Sequence, residues 1–155
     1  MMASYLSPPN GASKDNIETI YQKVRAVGGR LTKARRALID VLYNQNCLLK
    51  KNDLQKKMRA KKIIPDRSTL HRELIFLLAH NIIHKNTIRG IDYFEMSHHH
   101  HHHLICLTCQ QIDHIAIDNH KTCRLETEEK IIMKKNHFAI TNHSLNYYGY
   151  CQKCQ

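Results

Sequence analysis

The sequence lacks long hydrophobic runs. No stretch approaches ~18 consecutive apolar residues, which excludes a transmembrane helix, so we expect no membrane partner. Residues 1–16 contain no apolar core, and we therefore expect no signal peptide and a cytoplasmic protein. Internal repeats are also absent, and the one low-complexity segment is a run of histidines, His98–His103. With 155 residues and an apolar content of 42%, the chain is expected to fold as one large domain or two small ones.

Acidic residues are scarce, and the imbalance is uneven along the chain. There are 13 Asp and Glu against 24 Lys and Arg, a formal net charge of +11. Residues 1–96 hold 18 basic and 8 acidic side chains, whereas residues 97–155 hold 6 and 5. A solvated lysine surface is one interpretation. A basic half beside a nearly neutral half favours a polyanion-binding module, because neutralising phosphates is the usual reason for such a field.

The cysteines include two closely spaced pairs. Cys106-x-x-Cys109 and Cys151-x-x-Cys154 are C-x-x-C knuckles, in which a tight turn directs two thiolates at one ion. Two knuckles complete a closed tetrahedral site, which is typical of a structural zinc. Redox dithiols or unrelated free cysteines are the alternative, but no βαβ pattern of a redox fold lies near them. The remaining two cysteines are expected to be small core residues.

The N-terminal part has the periodicity of a small helical domain. The helical segments are residues 15–27, a helix capped by Thr32, a basic helix opened by Asn52 or Asp53, and a helix capped by Asp66. Residues 82–88 and 91–96, separated around Gly90, then read as a hairpin. Three of these helices, followed by the hairpin, form the outline of a winged helix-turn-helix.

On this interpretation, residues 66–79 form the recognition helix, and its exposed early residues face the DNA major groove. These are Arg67, Ser68, Thr69, His71 and Arg72. Lys85 and Arg89 of the hairpin would contact the DNA backbone. A small helical domain with no DNA role is the alternative, and the charge asymmetry argues against it.

From His98 onwards the pattern is that of a small α+β domain. An extended segment leads to the first knuckle, an apolar strand follows around residues 112–117, and a helix covers roughly residues 121–135. We expect Leu125, Ile131 and Ile132 on the inner side of that helix.

A last strand over residues 138–150 is predicted to end at Cys151. The predicted organisation is a tail at residues 1–14, a DNA-binding domain at residues 15–96 and a metal-binding domain at residues 97–155.

The histidine run lies far from either terminus, which argues against an engineered tag. In an extended strand, neighbouring side chains point to opposite faces. His101 and His103 therefore share one face, together with Glu95 if no bulge intervenes, and His100 and His102 share the other. One strand can thus supply two separate metal sites, and imidazole with carboxylate suits zinc or iron.

From about Thr19 to the end, the chain resembles the ferric uptake regulator family of bacterial metal-dependent repressors. The motifs that carry the resemblance are Leu31-Thr32-x-x-Arg35, Ser68-Thr69-Leu70-His71-Arg72, Tyr93-Phe94-Glu95, the run His99–His103 followed by Leu104-Ile105-Cys106-x-x-Cys109, and Thr141-Asn142-His143-Ser144-Leu145-x-x-Tyr148-Gly149. The resemblance implies an α+β fold with an N-terminal winged helix-turn-helix DNA-binding domain and a small α/β C-terminal dimerisation domain. It also implies a homodimer that represses metal-uptake genes by binding a palindromic operator in double-stranded DNA.

The resemblance further implies ligand sets. A structural zinc falls on Cys106, Cys109, Cys151 and Cys154. A regulatory hinge site, for zinc or iron(II), falls on Glu95, His101 and His103, with His84 as a ligand from the wing. A second site falls on His100, His102, Glu126 and His143. Arg35 of the Leu31-Thr32-x-x-Arg35 motif joins the DNA-contacting residues.

Several positions depart from the family's pattern. Leu48 stands where the iron-sensing branch usually supplies a histidine, while His84 stands where the zinc-sensing branch can supply one. His102 replaces the usual aspartate of the second site, and His114 occupies a place where a carboxylate is common. These substitutions add imidazole, so a zinc-responsive repressor is favoured over the alternative, an iron(II)-responsive one. His71 stands where a tyrosine is usual, which leaves the base preference open.

A zinc enzyme or a histidine-rich metal buffer would use the same histidines. Catalytic zinc needs an open coordination position and usually a general base. Glu95 is a possible base, but no H-E-x-x-H motif or similar pattern is present. A buffer would need neither the basic half nor a helix carrying Ser68, Thr69 and Arg72. We therefore expect no enzyme and no small organic substrate.

Overall fold

The computed structural model describes residues 16–45, 48–97, 101–116, 119–140 and 145–155, with backbone alone for His101, Ala116 and residues 119–126. The described residues belong to two compact units. The first unit comprises residues up to Ser97, and the second begins at His101.

The described part of the first unit contains helices α1 (Ile17–Ala26), α2 (Lys33–Tyr43), α3 (Lys51–Ala60) and α4 (Arg67–Ala79). Asn16, Thr32 and Asp66 cap the N-termini of α1, α2 and α4 through side-chain oxygens that accept backbone N–H groups. Such caps satisfy donors that a helix leaves unpaired in its first turn. The predicted caps at Thr32 and Asp66 are confirmed.

Helix α3 begins at a strand rather than at a polar cap. Lys50 precedes the helix and makes no side-chain cap hydrogen bond. It belongs to strand β1 (Leu49–Lys50), which pairs with Phe94 and Tyr93. The prediction that Asn52 or Asp53 opens α3 is wrong, because a long-range strand pairing sets this boundary.

Strand β1 extends a hairpin formed by β2 (Ile83–Ile88) and β3 (Ile91–Met96) into an antiparallel sheet of order β1-β3-β2. Arg89 and Gly90 connect β2 to β3 with φ angles of 51° and 76°. Two central residues with positive φ make the tight turn whose twist matches that of the flanking strands. The predicted hairpin is confirmed.

The helices and the hairpin share one hydrophobic core. Its most deeply buried side chains are Val24, Leu38, Ile39, Leu42, Leu54, Met58, Leu70, Leu77 and Ile83. Helix α4 contributes Leu70, Leu74 and Leu77 from one face, all at most 2% exposed. Burying that face leaves the polar residues at the start of α4 exposed.

The second unit contains strands β4 (His101–Cys106), β5 (Ile112–Ala116) and β6 (Asn146–Gly149), and helix α5 (Asn119–Asn136). The strand order is β5-β4-β6, with β5 antiparallel and β6 parallel to β4. The fold of the chain is thus α+β, with a winged helix-turn-helix in the first unit. In the described residues no helix has the length and apolar character needed to cross a membrane.

Two sequence expectations for this unit are wrong. The last strand does not start at Phe138, since residues 138–140 are not extended in a strand and β6 begins at Asn146. Ile131 and Ile132 are 60% and 47% exposed, so they are not packed into a core formed by the part of the chain that the structure describes. Helical periodicity identifies an apolar face but does not say whether the same chain covers it.

Candidate metal centre and nucleic-acid interface

The two cysteine knuckles follow two strands that lie side by side. Strand β4 ends at Cys106, and β6 ends at Gly149, two residues before Cys151. The strands run parallel, with Cys106 opposite Gly149. Because parallel neighbours end at the same edge of a sheet, both knuckles emerge at one place. The Leu107 N–H donates to Gly149 O at 2.8 Å and extends this pairing into the first knuckle.

The sulfur atoms of Cys106, Cys109, Cys151 and Cys154 form one cluster. All four Sγ atoms lie within 4.8 Å of one another, and those of Cys109 and Cys151 are 3.7 Å apart. Tetrahedral zinc with Zn–S bonds of about 2.3 Å holds its sulfurs roughly 3.8 Å apart. A disulfide would require a separation of about 2.05 Å. The spacing therefore fits a four-thiolate metal site.

Hydrogen bonds favour a thiolate at the first knuckle. The Cys151 N–H donates to Cys106 Sγ at 3.4 Å, and this bond, with a second from the Cys109 N–H, lowers the pKa of the Cys106 thiol to about 6. The Cys154 thiol is affected in the opposite direction, since its hydrogen bond with Cys151 raises its pKa to about 12. Each ionised sulfur opposes the ionisation of its neighbours, so four thiolates need a cation among them.

The β2–β3 hairpin places a histidine opposite a carboxylate. His84 is the direct partner of Glu95 in the register. Opposite residues of an antiparallel pair lie on the same face with Cβ atoms about 4.5–5.5 Å apart. Asn86 is 8% exposed and donates from Nδ2 to Glu95 Oε1 at 2.8 Å. A candidate nitrogen ligand and a candidate oxygen ligand thus lie side by side on the wing.

Strand β4 buries two of its histidines. His102 and His103 are 4% and 2% exposed, and as neighbours on a strand they point to opposite faces. His103 is the register partner of His114 on β5, so these two imidazoles share a face. The ring of His102 lies 5.9 Å from that of Tyr147, measured between centroids.

The predicted second metal site is described only in part. His100 and His143 lie outside the described residues, as does the side chain of Glu126. His102 is its one member with a described side chain, so the site stays a prediction. The side chain of His101, a predicted ligand of the hinge site, also lies outside the described residues.

The start of α4 presents polar and basic side chains to solvent. Arg67, His71 and Arg72 are exposed. Ser68 and Thr69 donate their hydroxyl protons to Asp66, at 2.7 and 3.0 Å. These hydroxyls therefore stabilise the N-cap, and Thr69 Oγ1 also accepts a hydrogen bond from Arg72 Nη2 at 3.3 Å. The same hydrogen bonds, with the Thr69 N–H, lower the pKa of Asp66 to about 2.

Arg35 lies in a contact between helices rather than on an open surface. Its Nε donates to Glu73 Oε2 at 2.5 Å, and the two side chains are 11% and 12% exposed. Its guanidinium also lies 3.7 Å from the centre of the Phe76 ring and donates from Nη1 to Arg30 O at 2.9 Å. Arg35 therefore helps to join α2 to α4, and the expectation that it contacts DNA stays a prediction.

Basic side chains continue beyond α4. Lys85 on β2 is exposed and lies 3.4 Å from Asp92 Oδ2, and Arg89 is at the tip of the hairpin. Lys56 and Arg59 on α3 are also exposed, as is Lys62 after it. No acidic residue occurs between Asp53 and Asp66, so this stretch carries net positive charge.

Sequence reasoning missed two side chains that act on the predicted site residues. Asn86 could have been found, because strand alternation places it on the same face as His84. Nothing local indicated Glu73, whose partner Arg35 lies 38 residues away along the chain.

A family model described as the ferric uptake regulator family matches residues 26–148. The chain belongs to this family. As a member of the ferric uptake regulator family, it is a metal-responsive transcription regulator. Family members are regulators and not enzymes, which confirms the expectation that the chain is not an enzyme.

Known members are similar at moderate identity. The ferric uptake regulation protein of Bacillus subtilis (strain 168) is 28% identical over 147 residues, 91% of this chain and 95% of that protein. The one from Legionella pneumophila is 28% identical over 90 residues, 57% of this chain and 62% of that protein. The crystal structure of the Vibrio cholerae ferric uptake regulator superposes with a TM-score of 0.63 at 29% identity, covering 84% of this chain and 98% of that chain. The winged-helix and dimerisation-domain fold of the family is thus confirmed.

Proposed function

We propose that this member of the ferric uptake regulator family is a zinc-responsive repressor of metal-uptake genes that binds a palindromic operator as a homodimer. The pairing of His84 with Glu95 across the hairpin carries the zinc assignment, because it adds an imidazole from the wing. Leu48, at the position where the iron-sensing branch usually has a histidine, is apolar and 7% exposed. Nitrogen-rich ligand sets favour zinc over iron.

The four clustered cysteines are proposed to hold a structural zinc. The sulfur spacing supports four-coordinate binding with no open position, which is the arrangement of structural rather than catalytic zinc. This zinc would tie Cys151 and Cys154, near the C-terminus, to the end of β4. Its binding energy would then be part of the folding energy of the second unit.

The exchangeable regulatory site is proposed to use His84, Glu95, His101 and His103. Imidazole and carboxylate groups together make a ligand set that suits a divalent metal ion. His114, opposite His103, offers a further imidazole on that face. A metal bound there would favour whichever conformation of the protein binds it better. His100, His102, Glu126 and His143 remain the proposed second site.

A second copy of the chain is the proposed partner of the second unit. Large apolar side chains there are 37–63% exposed: Leu104, Ile115, Ile131, Ile132, Phe138, Leu145, Tyr147, Tyr148 and Tyr150. Apolar exposure on this scale marks a protein–protein interface. Dimerisation would cover Ile131 and Ile132 and pair two winged helices for the two halves of a palindrome.

Double-stranded DNA is the proposed ligand of the first unit. Arg67, Ser68, Thr69, His71 and Arg72 would enter the major groove, and Lys85 and Arg89 would contact phosphates. The exposed basic side chains of α3 would add phosphate contacts beside the recognition helix. Most of the formal positive charge of the chain belongs to this unit, which supports the assignment.

The test is DNA binding at buffered free Zn(II) and, without oxygen, at buffered free Fe(II). The probe is a duplex selected from a random library in the presence of each metal. We expect the free zinc concentration that gives a set occupancy of the DNA to be far below the free iron(II) concentration that gives the same occupancy. Chelation of the metal should abolish binding. Equally tight binding without added metal would overturn the repressor mechanism.

An iron(II)-responsive repressor is the second candidate. It is favoured by the curated relatives, which are ferric uptake regulation proteins at 28% identity. The same titration separates the two functions, since the iron candidate requires that Fe(II) activate binding at concentrations where Zn(II) does not.

A further inference from the structure

Two hydroxyl groups at the start of α4 donate their protons to the same carboxylate. Ser68 Oγ lies 2.7 Å from Asp66 Oδ1, and Thr69 Oγ1 lies 3.0 Å from Asp66 Oδ2. The Thr69 N–H also donates to Asp66 Oδ1, at 2.6 Å. Asp66 is ionised near neutral pH, because these hydrogen bonds lower its pKa to about 2. An ionised carboxylate only accepts hydrogen bonds, so both hydroxyls must be the donors.

The direction of these bonds decides what each hydroxyl offers to a further partner. A hydroxyl has one proton and two lone pairs, so once the proton is donated the oxygen can only accept. Thr69 Oγ1 accepts from Arg72 Nη2 at 3.3 Å, within the helix. Ser68 is exposed in the first turn of α4, so toward an external partner its oxygen is an acceptor.

The four bases differ in the hydrogen-bonding groups that they present in the major groove. Adenine presents the N6 amino group and cytosine the N4 amino group, whereas guanine and thymine present acceptors alone. The phosphate oxygens of DNA are acceptors as well. An acceptor on the protein therefore pairs with adenine or cytosine, and it meets another acceptor at guanine, thymine or phosphate.

We propose that Ser68 binds a base amino group and so selects adenine or cytosine, over guanine or thymine, at the position it faces. This inference rests on the proposed DNA binding by α4, since residues at the start of a recognition helix reach base edges. Asp66 is the positioning residue, because it holds the Ser68 proton. A hydrogen bond to a charged acceptor is stronger than one to a neutral base oxygen, so the hydroxyl keeps its direction beside guanine or thymine.

This preference has a signature that other modes of base recognition lack. Contact with the thymine methyl group favours thymine alone, and recognition of groove width separates A·T pairs from G·C pairs. A side chain that binds an amino group instead places adenine and cytosine of one strand together, against guanine and thymine. A solely capping role for Ser68 predicts no base preference.

The experiment measures the affinity of the full-length protein, with the metal that supports binding, for its library-selected duplex and for every symmetrical single-base-pair change of the half-sites. Wild type is compared with Ser68→Ala, Asp66→Gly and Thr87→Val. Thr87 is the matched control, because its hydroxyl also donates to a carboxylate, Asp92 Oδ1 at 2.6 Å, but lies on the wing. Alanine suits a helix and glycine is an accepted N-cap residue, so both α4 variants should fold, which thermal unfolding checks.

In the wild-type protein, we expect one position of each half-site at which adenine and cytosine bind roughly 3–10-fold more tightly than guanine and thymine, the value of one net hydrogen bond. Ser68→Ala should remove this preference by weakening binding to the adenine and cytosine duplexes. Asp66→Gly should remove it by strengthening binding to the other two relative to these, because the released hydroxyl proton can be donated to guanine or thymine. Thr87→Val should leave the preference unchanged.

A preference that persists in Ser68→Ala would overturn the assignment to Ser68, and one that persists in Asp66→Gly would overturn the positioning role of Asp66. If the wild-type operator had no position with this grouping of bases, the inference would fail while DNA binding stood. A wild-type protein that selected no duplex from the library would instead overturn the proposed function, and the inference with it.

Discussion

Arg35 and Glu73 form an ion pair that joins α2 to the recognition helix. The Nε–Oε2 distance is 2.5 Å, and both side chains are nearly buried, with 11% and 12% exposed. The Arg35 guanidinium also packs on Phe76, one turn further along α4. A residue of the Leu31-Thr32-x-x-Arg35 motif therefore orients the helix that is proposed to read DNA.

Removing one partner of this pair should destabilise the first unit. Glu73→Gln leaves a nearly buried guanidinium without its carboxylate, and we expect a loss of about 3 kcal/mol in the free energy of unfolding, measured by urea denaturation. The double variant Arg35→Met, Glu73→Met should recover most of the loss, because no charge remains buried. Glu18→Gln is the control, since it breaks an exposed pair with Arg25, worth less than about 1 kcal/mol. Equal effects of Glu73→Gln and Glu18→Gln would contradict the assignment.

Replacing the second knuckle should remove the structural zinc. Cys151→Ser with Cys154→Ser takes away two of four sulfur ligands, and we expect loss of one zinc per chain by metal analysis. A loss of at least about 3 kcal/mol in stability should accompany it, because zinc binding contributes to folding. Gln152→Ser with Lys153→Ser alters the same turn without touching a ligand and should change neither quantity. An unchanged melting temperature in the cysteine variant would refute a structural role.

His84→Ala should weaken metal-dependent DNA binding while the cysteine-bound zinc is retained. We expect at least tenfold more free zinc for half-maximal DNA binding, because one imidazole is lost from the regulatory site. His80→Ala removes an exposed histidine nearby in the first unit and serves as the control. If both variants respond to zinc like the wild-type protein, His84 is not a ligand and the main argument for zinc sensing is lost.

Lys56, Arg59 and Lys62 should contribute phosphate contacts. Each contact adds about 0.9 to the slope of log affinity against log salt concentration, so changing all three to Gln should lower that slope by roughly 2–3. The control changes Lys134, Lys135 and Lys153 to Gln, which removes the same charge from the second unit. Matching slopes for the two triple variants would place the DNA away from α3.

The Asp66 cap predicts a pH effect on stability. Hydrogen bonds from Ser68 and Thr69 lower the pKa of Asp66 from its ordinary value of 3.8 to about 2. A depressed carboxyl pKa stabilises the fold above the unfolded value, and the stabilisation is lost as pH falls through the folded value. The difference in melting temperature between wild type and Asp66→Asn should therefore be constant above about pH 4 and shrink between pH 4 and 2. A difference that does not vary with pH would show that the charge of Asp66 contributes nothing.

Local patterns in the sequence determined much of this protein. The caps Thr32 and Asp66, the extent of α4, the hairpin and the two knuckles all depend on residues within a few positions of one another. Short-range geometry alone decides such features, because helical and strand periodicities and C-x-x-C spacing act within one or two turns of chain.

Tertiary structure decided what depends on distant partners. The parallel pairing of β4 with β6 brings Cys106 and Cys151 together, although 45 residues separate them. The β2–β3 register brings Asn86 within hydrogen-bond distance of Glu95. The packing of α2 against α4 brings Arg35 within hydrogen-bond distance of Glu73. The sequence of a strand or helix face indicates which kinds of residue it can pair with. Which residue becomes the partner depends on the packing of the whole fold, because a buried polar group needs a hydrogen-bond partner.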